Sequence, residues 1–257
     1  MSLLEGKTVL VTGGTSGIGR ACAEAMLVAG ADAVVINGRT RERGERARDE
    51  IAARFSAARV GLALGDMAEV ADAQSVITVA TGELGRIDVL VNSTGGNDVP
   101  ALLHNTPIEE VPRILERCLL AQLLSCRAAL PHMRAERGGC IINIASDAAK
   151  VPTPGESVIG AAMAGIVMFT RTLAIEGKRD GIRANVLTPS LVSGTDHYGR
   201  VMGDPFAGKM FAKAVPMAHL GIVTKDELAG LAVFLASPAA AKITGQAVSM
   251  TGGISAL

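Results

Sequence analysis

The feature that most constrains the fold is a glycine-rich segment, residues 12–19, that directly follows an apolar run at residues 9–11. Glycines allow a tight turn and a close approach of the backbone to a pyrophosphate, and the free N–H groups of a following helix favour negative charge. The segment therefore predicts a dinucleotide-binding turn between a first strand and a first helix. The residues expected to form it are Gly13, Thr15, Ser16, Gly17, Ile18 and Gly19.

Short β-branched runs alternate along the chain with longer segments of helical periodicity, which predicts repeated βαβ units around a parallel sheet. We expect an α/β, Rossmann-type doubly wound fold with a seven-stranded parallel sheet and helices on both faces. The predicted strands are Thr8–Thr12, Ala33–Asn37, Val60–Leu64, Val89–Asn92, Cys140–Ala145, Ala184–Thr188 and Ala247–Met250. The predicted helices begin near Gly17, Arg41, Glu69, Ile108, Glu156 and Lys225.

The length and composition indicate one domain, residues 1–257, because a chain of 257 residues that is 49% hydrophobic can bury a single large core. The one long irregular segment expected is Gly194–Gly208. Such a segment is either a lid over a site or an exposed loop.

Charge and apolar patterning exclude several classes of partner. The 25 basic and 25 acidic residues balance without runs of either sign, so neither nucleic acid nor a membrane surface is expected as a partner. We expect no apolar run of membrane-spanning length and no signal peptide, and therefore a cytoplasmic protein. The scattered cysteines indicate reduced core thiols and no metal site. They are Cys22, Cys118, Cys126 and Cys140.

The pattern Thr12-Gly-x-x-x-Gly-x-Gly19 resembles the cofactor signature of the short-chain dehydrogenase/reductase family, and the resemblance extends over essentially the whole chain. It implies further cofactor contacts at Asp66, Met67, Asn92, Gly95, Pro189 and Val192. It also implies a dimer or tetramer built through two long helices, here 108–134 and 156–176. A catalytically complete paralogue is one such partner.

The cofactor is suggested by the end of the second strand. NAD-binding members usually carry an acid there, whereas this chain reads Asn37-Gly38-Arg39. A guanidinium pairs well with a 2′-phosphate, so NADP is favoured over NAD. The alternative is that Arg39, Arg41 and Arg43 belong only to a solvated helix start.

The resemblance implies four catalytic positions, normally Asn, Ser, Tyr and Lys, and spacing places them at Cys118, Ser146, Ile159 and Met163. Ser146 alone is retained. The loss does not depend on the alignment, because Tyr198 is the only tyrosine and Met202 stands four residues beyond it.

The usual tyrosine exchanges a proton with the substrate oxygen, and the lysine lowers the pKa of the phenol. Neither Ile159 nor Met163 can donate, accept or carry charge. A positioned acid or base contributes about 10²–10⁴-fold in rate, so ordinary carbonyl reduction should be very slow. Two functions stay open: a non-catalytic, dinucleotide-binding subunit, or an NAD(P)-dependent oxidoreductase acting on an alcohol or ketone through another proton donor.

Several other residues are candidates for that donor, each with a plainer interpretation. Ser146, Asp147 and Lys150 lie at a strand end but also suit an ordinary loop. His197 and Tyr198 lie in the candidate lid, where surface polarity explains them equally well. His104 is expected to be structural.

Overall fold

The computed structural model describes residues 2–95 and 98–256. The strands are β1 (Thr8–Thr12), β2 (Ala33–Gly38), β3 (Arg59–Leu64), β4 (Val89–Asn92), β5 (Gly139–Ile144), β6 (Ile182–Pro189), β7 (Val192–Ser193), β8 (Val223–Thr224) and β9 (Ala247–Met250). The helices are α1 (Gly17–Val28), α2 (Arg41–Arg54), α3 (Val70–Leu84), α4 (Glu110–Leu115), α5 (Ala121–Ala135), α6 (Ser157–Gly177), α7 (Asp196–Gly203), α8 (Ala207–Phe211) and α9 (Lys225–Ala236).

Seven of the strands form one parallel sheet in the order β3-β2-β1-β4-β5-β6-β9. Successive side chains of β1 enter opposite faces: Val9 and Val11 pack in a core with α1 and α9, and Leu10 packs in a second core with α3 and α5. Both faces are covered, which is why the central strands are apolar throughout. The predicted doubly wound, seven-stranded sheet is confirmed.

The candidate lid is more ordered than the sequence predicts. Residues 194–208 contain the helix α7, which Thr195 caps by accepting a hydrogen bond from the Tyr198 amide at 3.1 Å. On either side, β7 and β8 pair as a two-stranded sheet. The prediction of an irregular segment was therefore wrong for residues 196–203, because glycines obscured a short helix whose stability depends on its cap and on packing.

The helix predicted from Ile108 begins at Glu110 and is interrupted. A π-helical turn, Glu116–Leu120, separates α4 from α5 and contains Cys118. Such turns insert one extra residue and are frequent at functional sites. Sequence periodicity does not indicate the interruption, because apolar residues continue through it.

One helical segment, Ser157–Asp180, is long and apolar enough by composition to cross a membrane, with a mean hydropathy of 1.8. The expectation that no apolar run reaches this length was wrong. Within the fold, the segment packs as a core helix, since Ile166 and Leu173 are buried against the sheet. A membrane partner is therefore not indicated by this helix.

A chain of buried side-chain hydrogen bonds ties together the carboxyl ends of the central strands. Asn92 accepts bonds from the hydroxyls of Thr12 at 3.0 Å and Ser125 at 2.6 Å, and donates to Asn143 Oδ1 at 2.9 Å. Asn143 in turn donates to Thr170 Oγ1 at 2.8 Å. The network fixes β1, β4 and β5 to the helices α5 and α6, and so holds rigid the sheet edge at which a ligand would lie.

All four cysteines are buried, and none of them forms a disulfide within the described residues. Burial raises the pKa of Cys22 and Cys126 to about 12 and that of Cys140 to about 11, so these thiols stay protonated. Across residues 2–95 and 98–256, no group of three or more metal-ligating side chains is placed to hold a metal ion.

Candidate functional site

The glycine turn is shaped by contacts that exclude a side chain. Gly13 has φ +64°, and a Cβ there would lie 2.3 Å from the carbonyl oxygen of Ser93. A Cβ on Gly19 would lie 2.3 Å from the carbonyl oxygen of Gly13. Both clashes are with backbone, so the turn, β4 and α1 approach as closely as only glycine permits.

The outer side of the same turn is open. Gly17 has φ +54°, and the nearest described atoms to an added Cβ belong to the side chain of Thr195, at 3.8 Å or more. Ser16 caps α1 without a side-chain bond to the backbone, so the first N–H groups of α1 keep no intrahelical partner. Thr15 packs against Gly38, and Ile18 packs against the core. This arrangement fits a pyrophosphate at the N-terminus of α1.

The predicted adenine end is assembled from β2 and β3. The Asn37 amide donates to the carbonyl oxygens of Ala63 and Gly65, each at 3.1 Å, and so serves the scaffold. Arg39 Nη1 lies 3.5 Å from Asp66 Oδ2, with 57% of the Arg39 side chain exposed. The two predicted contact residues are therefore brought together. Met67 is buried in the core, so only its backbone can reach a ligand.

The predicted contacts after β4 and β6 lie along the same edge. The Asn92 side chain is committed to the buried network, which leaves it a supporting role. Gly95 has φ +98°, and an added Cβ would lie 3.2 Å from Cys118 Sγ. Pro189 and Val192 are buried at the end of β6 and in β7. The hydroxyl of Thr94 is buried without a hydrogen-bond partner in the described chain, as expected of a group that faces a ligand.

Three of the four catalytic positions that the resemblance implies pack in one apolar cluster, and the fourth, Ser146, directly follows Ala145 of the same cluster. Cys118 and Met163 are buried there, and Ile159, one turn before Met163 on α6, packs against them with Ile166. Ser146 is at the end of β5, where its Oγ accepts a hydrogen bond from the Ala148 amide at 3.2 Å. Its hydroxyl thus caps the short turn Asp147–Ala149. The Ile159 and Met163 side chains have no ionisable group, so neither of them can exchange a proton.

Asp147 and Lys150 serve the scaffold. Asp147 is buried, and its Oδ2 accepts a hydrogen bond from Ser255 Oγ at 2.6 Å. Lys150 Nζ lies 3.8 Å from Asp147 Oδ1 and donates to Ser249 Oγ on β9. The pair ties the turn after β5 to the C-terminal strand, which favours the ordinary-loop interpretation.

Glu156, at the start of α6, makes stability depend on pH. Burial, with a contribution from the charge of Asp147, raises its pKa from 4.5 to about 7. The folded state therefore binds the proton more tightly than the unfolded state, so this stabilisation is complete below about pH 4.5 and is lost as pH rises through 7. We expect Glu156→Gln to be roughly 2–3 kcal/mol more stable than wild type at pH 8, with the difference vanishing near pH 4.5.

Chemical denaturation across this pH range measures the effect. Glu176→Gln, at an exposed position of the same helix, is the matched control. A constant difference between the Glu156→Gln variant and wild type from pH 4.5 to 8 would contradict the burial argument.

The candidate lid, residues 194–208, places the imidazole of His197 within electrostatic range of Asp98. His197 Nδ1 is buried without a hydrogen-bond partner in the described chain. Burial, reinforced by Arg200 and opposed by Asp98, lowers the pKa of His197, so the ring is neutral at pH 7. The ring of Phe206, in the candidate lid, lies against Gly155, just before the start of α6. His104 is exposed in a 3₁₀ turn.

A charged trio that the sequence does not indicate, Asp98, Glu110 and Arg117, lies beside Cys118. Arg117 Nη2 donates to Asp98 Oδ1 at 2.5 Å and to Glu110 Oε2 at 3.3 Å, and Cys118 Sγ is 4.0 Å from Asp98 Oδ2. Although burial opposes it, bonding to both carboxylates raises the pKa of Arg117. Glu110 and Arg117 are two helical turns apart, a spacing that is compatible with an ion pair. No nearby sequence feature indicates that Asp98 joins them.

A cavity of about 180 Å³ opens beside the trio. It is lined by Asp98, Val99, Ala101, Leu103, Thr106, Pro107, Glu110, Ile114, Gly155, Ser157, Val158 and Ile159. Because Ile159 occupies the implied tyrosine position, the cavity lies where a substrate would meet the missing phenol.

Comparisons with known proteins match this geometry. A family model described as enoyl-(acyl carrier protein) reductase matches residues 13–255. The chain is 35% identical to D-beta-hydroxybutyrate dehydrogenase from Cupriavidus necator, over 98% of each chain. It is similar to the structure of L-sorbose reductase from Gluconobacter frateurii complexed with NADPH and L-sorbose (TM-score 0.89, 29% identity, 99% of this chain and 98% of that one). It is also similar to 3-ketoacyl-(acyl-carrier-protein) reductase from Brucella melitensis complexed with NADH (TM-score 0.86, 30% identity, 98% and 99%).

The two solved relatives, one complexed with NADPH and the other with NADH, thus share the fold of this chain. The glycine turn of this chain retains the backbone geometry that such a cofactor requires. Because the family match extends over nearly the entire sequence, from the glycine turn to the last strand, the chain belongs to the short-chain dehydrogenase/reductase family of NAD(P)-binding oxidoreductases.

Proposed function

We propose that this protein is a dinucleotide-binding member of the family that has lost ordinary oxidoreductase catalysis. One observation carries the proposal: Ile159, Met163 and Cys118 pack in a single apolar cluster at the place where the phenol, ammonium and amide would act. The remaining position, Ser146, is engaged as a turn cap. When bound, the nicotinamide supplies hydride chemistry, but this chain places no tyrosine or lysine there to exchange the accompanying proton.

The proposal is tested by titration and turnover in the same samples. We expect NADPH to bind, as measured by the change in its fluorescence, and its absorbance to stay constant when aldehydes and ketones are added. No detectable affinity for NADPH or NADH would reject the dinucleotide-binding part. Turnover at a rate ordinary for enzymes, roughly 1–10³ per second, would reject the loss of catalysis.

NADP is the cofactor that we propose, because Arg39 lies at the end of β2 beside Asp66 and 57% of its side chain is exposed. A bidentate guanidinium suits a phosphate monoester. In addition, Gly38 packs so closely on Thr15 that an added Cβ would lie 2.5 Å from the Thr15 methyl group. An acidic side chain at that position, of the kind that selects NAD, would require Thr15 to move.

Substituting Arg39→Ala is expected to weaken NADPH binding about tenfold or more, since a charge-assisted contact is worth roughly 1.5–3 kcal/mol. NADH lacks the 2′-phosphate, so its affinity should change little. Arg43→Ala, exposed on the same helix start, is the matched control. Equal losses for both cofactors, or the same loss in the control, would assign Arg39 to the solvated helix surface.

We further propose that the chain acts as a subunit of a dimer or tetramer, with itself or with a catalytically complete paralogue. The helix α6 supports this, because two of its apolar side chains, Met168 and Ile175, expose 61% and 64% of their surface. Light scattering on the pure protein tests self-association, and a monomer at micromolar concentration would leave only the hetero-oligomer, to be tested by co-purification with the paralogue.

A second function is favoured by one specific observation. His197 presents a buried, unpartnered Nδ1 and feels the charge of Asp98, so this pair is the candidate for an alternative proton donor in an active NAD(P)-dependent oxidoreductase acting on alcohols or ketones. This function predicts wild-type turnover that His197→Gln abolishes. The non-catalytic proposal predicts no turnover in either protein.

A further inference from the structure

The ionisable groups that line the cavity beside the apolar cluster are all acidic. Its only ionisable lining groups in the described chain are the carboxylates of Asp98 and Glu110. Hydrogen bonds from Arg113 and Arg117 lower the pKa of Glu110, so this group is ionised at neutral pH. The charged atoms at the wall are therefore hydrogen-bond acceptors.

The arginines that balance these carboxylates do not line the cavity. Arg113 Nη1 reaches Glu110 Oε1 at 2.7 Å from an exposed position, and Arg117 lies behind both acids. A carboxylate offers about four lone-pair sites; on Asp98, Arg117 uses one on Oδ1 and the Cys118 thiol contacts Oδ2 at 4.0 Å. Asp98 thus keeps acceptor capacity while its side chain is only 14% exposed, where a hydrogen bond is stronger than in water.

The rest of the lining is mostly apolar. Its apolar residues include Ile114, Val158, Ile159, Val99 and Leu103. A cavity of about 180 Å³ has room for roughly six water-sized groups, which is small compared with pockets for drug-sized ligands. Residue 159 thus contributes an apolar isoleucine to the cavity lining, where a tyrosine would contribute a hydroxyl.

We propose that this cavity binds a small ligand with an apolar body and a hydrogen-bond-donating head group, a primary amine or hydroxyl, and that it rejects carboxylates. The head group donates to Asp98 and Glu110, and the body lies against Ile159. A carboxylate would place acceptors against acceptors, with like charges in contact. The inference rests on the proposed function in one respect, that the ligand is retained without being turned over.

Calorimetric titration of the NADPH-loaded protein with butylamine, butanol and butyrate tests the proposal. We expect the amine to bind most tightly, the alcohol next, and the amine to exceed butyrate by about tenfold or more. Asp98→Asn and, independently, Glu110→Gln should reduce the preference for the amine over butyrate. Asp196→Asn, an exposed carboxylate outside the cavity, should leave the preference unchanged.

The outcomes separate this inference from the proposed function. Amine binding together with oxidation or reduction of the cofactor would support the ligand class and reject the loss of catalysis. NADPH binding without turnover, but with no affinity for any of the three ligands or with butyrate bound as tightly as butylamine, would overturn the ligand class and leave the proposed function standing. If Asp98→Asn fails to fold, the wild-type ranking and Glu110→Gln decide.

Discussion

Introducing tyrosine and lysine together, as Ile159→Tyr with Met163→Lys, is expected to raise the rate of NADPH-dependent ketone reduction by roughly 10²-fold or more over wild type. The phenol would line the cavity at the Ile159 position, where a substrate carbonyl in the cavity could reach it. One helical turn away, the ammonium would lower the pKa of the phenol. The rate of NADPH oxidation with a ketone panel measures the gain.

The control for this experiment keeps the aromatic ring at position 159 and removes its hydroxyl group. Ile159→Phe with Met163→Lys has the same ring without the hydroxyl and should stay at the wild-type rate. If the tyrosine variant is no faster than the phenylalanine variant while both bind NADPH, then loss of the phenol does not explain inactivity. Adding Cys118→Asn extends the test to the third position.

The same substitution carries a cost in stability. Met163 is buried, with 7% of its surface exposed, so a lysine there is desolvated unless its ammonium reaches the crevice. We therefore expect a lower melting temperature for the Met163→Lys variant, partly recovered when NADPH binds. Activity should be assayed below the onset of unfolding.

Replacing Gly19 by alanine is the second large expected effect. The added Cβ would meet the Gly13 carbonyl at 2.3 Å, a backbone contact that no side-chain rotation relieves. The loss of stability should be roughly 1–3 kcal/mol or more, typical of overpacking, and NADPH binding should fall below detection because the turn and α1 must separate. Chemical denaturation and NADPH titration measure the two effects.

Gly230→Ala provides the comparison. Gly230 is an exposed position within α9, and no described atom lies within 4 Å of an added Cβ. Alanine should stabilise this helix by roughly 0.5–1 kcal/mol and leave binding unchanged. If Gly19→Ala binds NADPH as tightly as wild type, the close packing of turn and helix is not what shapes the cofactor site.

How far the sequence predicts the structure depends on the range of the interactions. The strands were predictable because a strand buried on both faces must be apolar at every position, as in β1 and β2. Their ends shifted by one or two residues, for example from Ala184 to Ile182 at β6. The helix α7 was missed because it depends on a cap at Thr195 and on contacts with distant segments.

The candidate site divides in the same way. The glycine turn follows from a local motif, and of the four positions that the resemblance implies, Cys118, Ile159 and Met163 pack in one cluster. The trio of Asp98, Glu110 and Arg117 joins a loop to a helix through side chains alone, so no periodic pattern in the sequence predicts it. The family resemblance implied that Asn92 contacts the cofactor. In the structure its side chain is instead held in the buried hydrogen-bond network with Thr12, Ser125 and Asn143.

The central claim, that the crevice has no working proton relay, is tested most directly by transfer of isotope. Wild-type protein is incubated with NADPH deuterated at the transferable position and with a ketone panel, and deuterium in the alcohol product is followed by mass spectrometry against a protein-free control. We predict labelling within about tenfold of the control, alongside saturable NADPH binding. Labelling that proceeds with many turnovers per second would contradict the account.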